Sequence, residues 1–196
     1  MRSLELDRSS EYLALLDERL PKQTLRHVLS VTELMNRLVD ICDLHRETAL
    51  VAALFHDYCK AMKGKTLLMA AARYGIPILP AWRERPMLLH GPVAAEEIRF
   101  TLGIDDPEVY EAIYNHTFGK PGMGRVGLAL YVADFAEELR THPEAAVARR
   151  ILEQECFDAA LRYVVDAKLD MIKKKDRPID PQSQEFRAWV WEGCPA

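Results

Sequence analysis

An imidazole and a carboxylate, His56 and Asp57, stand side by side at the end of the most apolar stretch of the chain, Ala49-Leu50-Val51-Ala52-Ala53-Leu54-Phe55. A carboxylate buried there without a partner would be strongly unfavourable or forced to protonate, so it requires one, and a divalent cation would serve. Successive helical residues project about 100° apart, so the pair can reach one ion only from an edge, with further ligands from other helices. His27 is a candidate, because it lies on the apolar face formed by Val28, Val31, Leu34, Met35, Leu38 and Ile41. Asp134 is another: it interrupts Leu128-Ala129-Leu130-Tyr131-Val132-Ala133 and Phe135, with no Lys or Arg within four residues on either side. A lone core histidine is usually just hydrogen-bonded, and a lone helical Asp usually caps or pairs. Together, two neutral imidazoles and two carboxylates form a mixed nitrogen and oxygen set suited to Fe, Mn, Zn, Co or Ni, with no thiolate to impose soft-metal selectivity.

The elements that must position these residues are helices, since apolar residues recur at steps of three and four and no stretch alternates for long like a strand. The pattern predicts helices over about Glu11 to Leu20, from Thr24 past Leu38, and over Arg46 to Tyr58, the last apolar nearly all round and hence central. Another covers Lys65 to Tyr74 and ends at Gly75, after which Pro77, Pro80 and Pro86 break up a loop holding Trp82. His90-Gly91-Pro92 and Asp106-Pro107 each open a helix, because proline suits a first helical turn. The second carries Val109, Ile113 and His116, and is followed by Gly119, Pro121, Gly122 and Gly124, which read as a mobile lid. Next come Val126 to Leu139, then one long amphipathic stretch from Pro143 through Val165 and Leu169 to the basic run Lys173 to Lys175, and a tail, Pro178 to Trp191, that closes over the body. The expected class is all-α: a single domain over residues 1–196, with a metal-binding core over about 24–140 and a C-terminal helix and tail over 141–196.

Composition narrows the function. Of 196 residues, 26 are Lys or Arg and 30 Asp or Glu, a net charge of −4, with 49 % hydrophobic and 29 % charged residues. Such a chain is neither disordered nor a membrane protein, and its mild acidity argues against a nucleic-acid coat or a polybasic membrane anchor. No apolar run approaches the ~18 residues of a membrane span. The opening MRSLELDRSS lacks the apolar segment of a signal peptide, so a cytoplasmic location is expected. Cys42, Cys59, Cys156 and Cys194 show no CxxC spacing and read as small hydrophobes in a reducing compartment. His45 and His142 lie in polar stretches, where solvent exposure is expected.

The order His27, then His56-Asp57, then Asp134 resembles the H…HD…D signature of the HD phosphohydrolase superfamily, an all-helical fold. Four segments narrow the resemblance: FHDYCK (55–60), LLHGPVAAE (88–96), AIYNHTFGKPGM (112–123) and YVADFAEELR (131–140). In this order and spacing they resemble the YqeK branch, whose members hydrolyse diadenosine tetraphosphate symmetrically to two ADP and carry iron. The resemblance covers about Leu25 to Trp191. It implies His27, His56, Asp57 and Asp134 as ligands of a divalent transition metal, iron in the family, with one ion or two. His90 and His116 then either face the substrate phosphates as catalytic groups beside Asp57 or complete a second metal site. Lys60, Thr117 and Arg140 match phosphate contacts, and Ile179 and Pro181 belong to a PIDP segment that helps enclose the nucleotide. The implied partner is a dinucleoside polyphosphate or an ADP-like ligand, not nucleic acid or membrane, and assembly into a homodimer stays open. Cys59, Phe118, Lys120 and Glu138-Leu139 depart from the family pattern, and Phe118 and Lys120 bear on the shape of the substrate loop. Hydrolysis of another nucleotide, or a sensing module that binds without turnover, are the alternative readings.

Overall fold

Apolar residues at helical spacing bury one face of each segment, and they do so here in eleven α-helices with no strand among the described residues. The structure is a computed structural model that describes residues 2–154 and 156–193, with side chains from residue 10 onward. Cys194 lies outside them. The fold is all-α, as the sequence implies.

Helix α1 (Arg2–Arg19) reaches further back than expected. On α2 (Lys22–Ile41), Val28, Val31, Leu34, Met35, Leu38 and Val39 are buried, whereas Ile41, expected on the same face, is 59 % exposed at the helix end. The short α3 (Arg46–Phe55) buries Ala49, Ala52 and Ala53 and packs on α2. Its small side chains let the neighbouring backbones approach. It ends at Phe55, so His56 caps it and Asp57 falls in the following turn.

Helix α4 (Gly64–Arg73) precedes the proline-rich loop. Pro80 and Pro86 do not leave it without helix; each stands in the first turn of a short helical segment, α5 (Pro80–Glu84) and a 3₁₀ turn over Pro86–Leu89. A first-turn N–H has no intrahelical partner, so proline loses nothing there. Helices α6 (His90–Leu102) and α7 (Pro107–Asn115) then pack on one another, and α8 (Arg125–Ala136) runs through the middle. Ten of the twelve residues of α8 are buried, all except Arg125 and Asp134. It touches α2, α3, α7, α9 and α10. That makes α8, more than α3, the central helix.

The long stretch after Pro143 is two helices, α9 (Pro143–Gln154) and α10 (Phe157–Lys173), with Cys156 extended between them at φ −155°. Ala148 and Ala160 are both buried and twelve residues apart. In one continuous helix their directions would differ by about 120°, so a break is needed for both to face the core. Finally α11 (Pro181–Trp191) lies against α10 and buries Phe186 beneath Gly119. Gly119 has φ +69°, and a Cβ there would fall 2.0 Å from the Phe186 ring, so only glycine fits. No helix among the described residues is long and apolar enough to cross a membrane.

Candidate metal centre

Three of the site histidines stand where a helical segment ends. His56 caps α3, His116 caps α7, and His90 closes the 3₁₀ turn where α6 begins. Each turns its Nδ1 to the carbonyl three residues back: Ala53 at 2.7 Å, Ile113 at 2.8 Å and Met87 at 2.6 Å. The terminal carbonyls of α3 and α7 lack intrahelical donors, so the contact satisfies both partners there, while the Met87 carbonyl also accepts the His90 N–H. A carbonyl only accepts, which puts the hydrogen of the neutral ring on Nδ1 and leaves a lone pair on Nε2. His27, inside α2, is oriented by a side chain instead: its Nδ1 lies 3.0 Å from Glu137 Oε1. In all four rings an oxygen holds Nδ1 while Nε2 faces inward, the arrangement that fixes tautomer and direction in metal-binding histidines.

The inward atoms form two groups that share Asp57. His27, His56 and Asp57 make one; Asp57, His90 and His116 make the other, and within each the potential ligand atoms lie within 4.8 Å of one another. Asp57 Oδ2 is 3.7 Å from both His27 Nε2 and His56 Nε2, while its Oδ1 is 3.0 Å from His90 Nε2 and 3.7 Å from His116 Nε2. Asp134 adds its Oδ1 to the first group, 3.1 Å from His27 Nε2 and 3.9 Å from His56 Nε2.

A cation fits this set. His90 Nε2 and His116 Nε2 are 3.0 Å apart, and with both Nδ1 atoms donating to carbonyls two lone pairs face each other. Asp57, 2 % exposed, leaves Oδ1 buried without a well-directed hydrogen bond. Leaving such an atom unpaired is costly, and a shared positive ion would relieve both contacts. Protonation states agree. Burial pushes His56 down and, with His90 and His56 beside it, pushes His116 well below the usual imidazole range, so both rings stay neutral. Burial opposes ionisation of Asp57 and Asp134, yet the imidazoles with Lys60 around the first, and His27, Lys168 and Arg140 around the second, hold both well below the usual carboxylate range. His27 is raised, since Asp134 and Glu137 outweigh its desolvation.

Close packing completes the second group. A Cβ on Gly91 would lie 2.9 Å from both His116 Cε1 and the Ile113 carbonyl. The absent side chain is what lets α6 bring His90 against His116.

Lys60 and Arg140 stand at the edge, 43 % and 39 % exposed. Lys60 Nζ is 3.3 Å from Asp57 Oδ1 and 3.2 Å from His90 Nε2. Arg140 reaches Asp134 Oδ1 at 2.9 Å and the Asp134 carbonyl at 3.1 Å. Thr117 Oγ1 is 3.2 Å from His116 Nε2. Ile179 and Pro181 are not drawn into this cluster. Ile179 lines a surface cleft with Asp170, Lys173 and Arg187, and Pro181 is exposed in the first turn of α11. Another cleft, about 410 Å³ and lined by Cys42, Arg125, Cys156 and Phe157, is also separate from the histidines.

Other expectations change. The glycine loop after His116 is clamped by α11 and is no free lid: Gln182 donates to the Gly119 carbonyl at 2.6 Å and Ser183 to the Phe118 carbonyl at 3.0 Å. Phe118 is buried and stacks on Trp82, whose Nε1 donates to Asp180 at 3.0 Å. His45 is exposed, as expected, and caps α3. His142 is half-buried, because it accepts from the Ala145 N–H at 3.1 Å and packs edge-on against Phe135.

Sequence reasoning missed Glu137, Lys168 and Gly91. Glu137, 1 % exposed, follows Asp134 by three residues, next to the apolar pair Phe135-Ala136 on one side and the acidic Glu138 on the other. Lys168 continues the buried stripe Leu161, Val164 and Val165, an odd place for a cation. Its Nζ lies 3.9 Å from Asp134 Oδ2, and burial pulls its pKa down to about 8.

Comparison with known proteins gives the same family. Residues 24–184 match the HD domain. The chain is 27 % identical over 183 residues to the "Bis(5'-nucleosyl)-tetraphosphatase, symmetrical" of Bacillus subtilis (strain 168), covering 93 % of this chain and 97 % of that protein. To the protein of the same name from Staphylococcus aureus (strain NCTC 8325 / PS 47) it is 33 % identical over 128 residues, 64 % of each. The crystal structure of a protein described as "predicted HD superfamily hydrolase involved in NAD metabolism", from Clostridium acetobutylicum, has the same fold, with a TM-score of 0.88 at 24 % identity over 94 % of this chain and 97 % of the other. With the H…HD…D residues gathered on one centre and most of its length matched, the chain belongs to the HD-domain family.

Proposed function

We propose that the protein is a metal-dependent hydrolase that splits the central anhydride of diadenosine tetraphosphate and releases two ADP. The observation that carries the reading is the meeting of two imidazole groups on one buried carboxylate, Asp57, with Lys60 and Arg140 at the edge. The similarity to proteins named symmetrical tetraphosphatases supports the choice of substrate. His27, His56, Asp57 and Asp134 would hold one divalent ion, and Asp57, His90 and His116 present a second set of donors. Iron is the metal the resemblance implies, and the nitrogen and oxygen donors suit it. A bound divalent ion polarises a phosphoryl oxygen and lowers the pKa of water.

The chain's own residues do the rest. Arg140 can give two parallel hydrogen bonds to one phosphate, and Lys60 contributes a compact charge beside it. The Thr117 hydroxyl is a further donor. The attacking water bonds to one inner phosphorus, the anhydride P–O bond on its far side breaks, and the water's two protons pass to solvent. The departing ADP leaves on a terminal phosphate whose last pKa is near 6, so offsetting its charge matters more than protonating it. That suits His116, whose depressed pKa makes it a lone-pair donor and not an acid.

The test is product analysis. Protein loaded with Fe(II) or Mn(II) and given diadenosine tetraphosphate is expected to yield ADP alone, resolved by anion-exchange chromatography. AMP plus ATP would overturn the cleavage position, and tight ADP binding without turnover of any nucleotide would overturn catalysis.

A further inference from the structure

Lys168 on α10 takes no part in the function proposed above, yet it is half-buried between residues of both groups. Its side chain is 18 % exposed, with Nζ 3.4 Å from the His116 carbonyl, 3.9 Å from Asp134 Oδ2 and 3.6 Å from the centroid of the Tyr131 ring. An ammonium has three hydrogens to donate. Here one meets a carbonyl at long range and the π face takes another, while the nearest carboxylate oxygen stands beyond hydrogen-bond reach. A half-buried cation so thinly paired gives little to the fold. Replacing such a charge with an apolar side chain of similar volume is often neutral or stabilising.

Its surroundings suggest a use. Asp134 is already bonded by Arg140 at 2.9 Å, and Lys60 stands beside Asp57 at 3.3 Å. With His56 and His116 neutral, the carboxylates Asp57, Asp134 and Glu137 face the cations Lys60, Arg140 and Lys168, three against three, before any charge on His27, whose pKa is raised, is counted. Each divalent ion then adds two positive charges. When Asp134 turns its charge to a metal, the ammonium behind it has no carboxylate left to answer it. The pocket then calls for a multiply charged anion, and Lys168 is deeper in it than Lys60 or Arg140.

We propose that Lys168 is a third phosphate-binding cation of this site, giving a hydrogen bond to an inner phosphoryl oxygen of the polyphosphate. The assignment rests on the proposed function only in taking the anion to be a phosphate chain.

Calorimetric titration of the metal-loaded protein with pyrophosphate and with ADP tests it, on wild type, K168M, K168Q and K168R. Loss of one charge-assisted hydrogen bond is expected to weaken both ligands about tenfold or more in K168M and K168Q. K168R should recover part of the affinity. Metal content should stay at the wild-type level and Tm should hold or rise, the opposite of what a structural ion pair would give. Unchanged pyrophosphate affinity overturns the assignment, as does a fall in Tm with loss of metal, or failure of both neutral variants to fold. Pyrophosphate carries no nucleoside. If wild type leaves diadenosine tetraphosphate intact but K168M loses pyrophosphate, the substrate is wrong and the Lys168 assignment stands.

Discussion

The two groups of imidazoles that meet on Asp57 differ at one ring: His56, like His90 and His116, is held by a backbone carbonyl, and His27 is not. His27 stands inside α2, and its direction depends on a side chain 110 residues away, Glu137, which lies at the end of α8. His90 and His116 depend on backbone: each bonds a carbonyl three residues back, and the missing side chain of Gly91 lets their helices close. The first group is thus open to tuning by a single side chain, through His27. The second is fixed by where helices end and how near they approach, so only changes that move backbone reach it. Asp57 belongs to both.

Replacing the shared residue should remove the contrast altogether. Asp57→Asn keeps the shape but loses the charge, and is expected to empty both groups of metal by elemental analysis and to lower hydrolysis by about a thousandfold or more. Retention of a full metal complement would show that the carboxylate does not join the groups. Gly91→Ala should strike the backbone-held group alone. A Cβ 2.9 Å from a carbonyl oxygen forces α6 and α7 apart at a cost of about 1–3 kcal/mol, and the His90 to His116 contact opens with it. The expected result is a lower Tm and loss of metal from that group, while the His27 side keeps its ion; an unchanged Tm and metal content would mean that the approach is not tight.

Glu137→Gln probes the other side. It still offers an oxygen to His27 Nδ1 but no charge, and loss of such a supporting group typically costs about 10–100-fold in metal affinity. Competition with a chelator should resolve that drop in the His27 group, with no change in the other. Equal weakening of both would mean that the two groups do not differ in how His27 is supported. Lys60→Ala should have the smallest effect, because its ammonium is 43 % exposed. Metal content stays, and ADP binds about tenfold more weakly or less, as read by titration; loss of metal would instead make Lys60 a support of Asp57.

Much of this was legible before the fold was known, for physical reasons that differ between the groups. His27, Asp57 and Asp134 announced themselves as polar residues on apolar faces, and burial alone demanded a partner for each. The helices that carry them followed from spacing of three and four. Glu137 gave a weaker signal, because it stands beside the equally acidic Glu138, which is exposed, and side-by-side acids at a helix end do not say which one turns inward. Lys168 was hidden by treating residues 143–173 as one amphipathic stripe; only the break at Cys156 sets the rotation that turns α10 toward Asp134. The role of Gly91 could not be read at all, since a close approach between α6 and α7 is a property of packing, and His90-Gly91-Pro92 reads simply as a helix start. Proline marked Pro80 and Pro86 as breaks when each is a beginning.

The most direct test is an anomalous difference map from crystals of the protein loaded with Fe(II) or Mn(II), measured at the metal's absorption edge. The expected result is metal coordinated by Asp57 together with His27, His56 and Asp134, and by Asp57 together with His90 and His116 where a second ion binds. Metal bound at a position that leaves Asp57 uncoordinated would contradict the account.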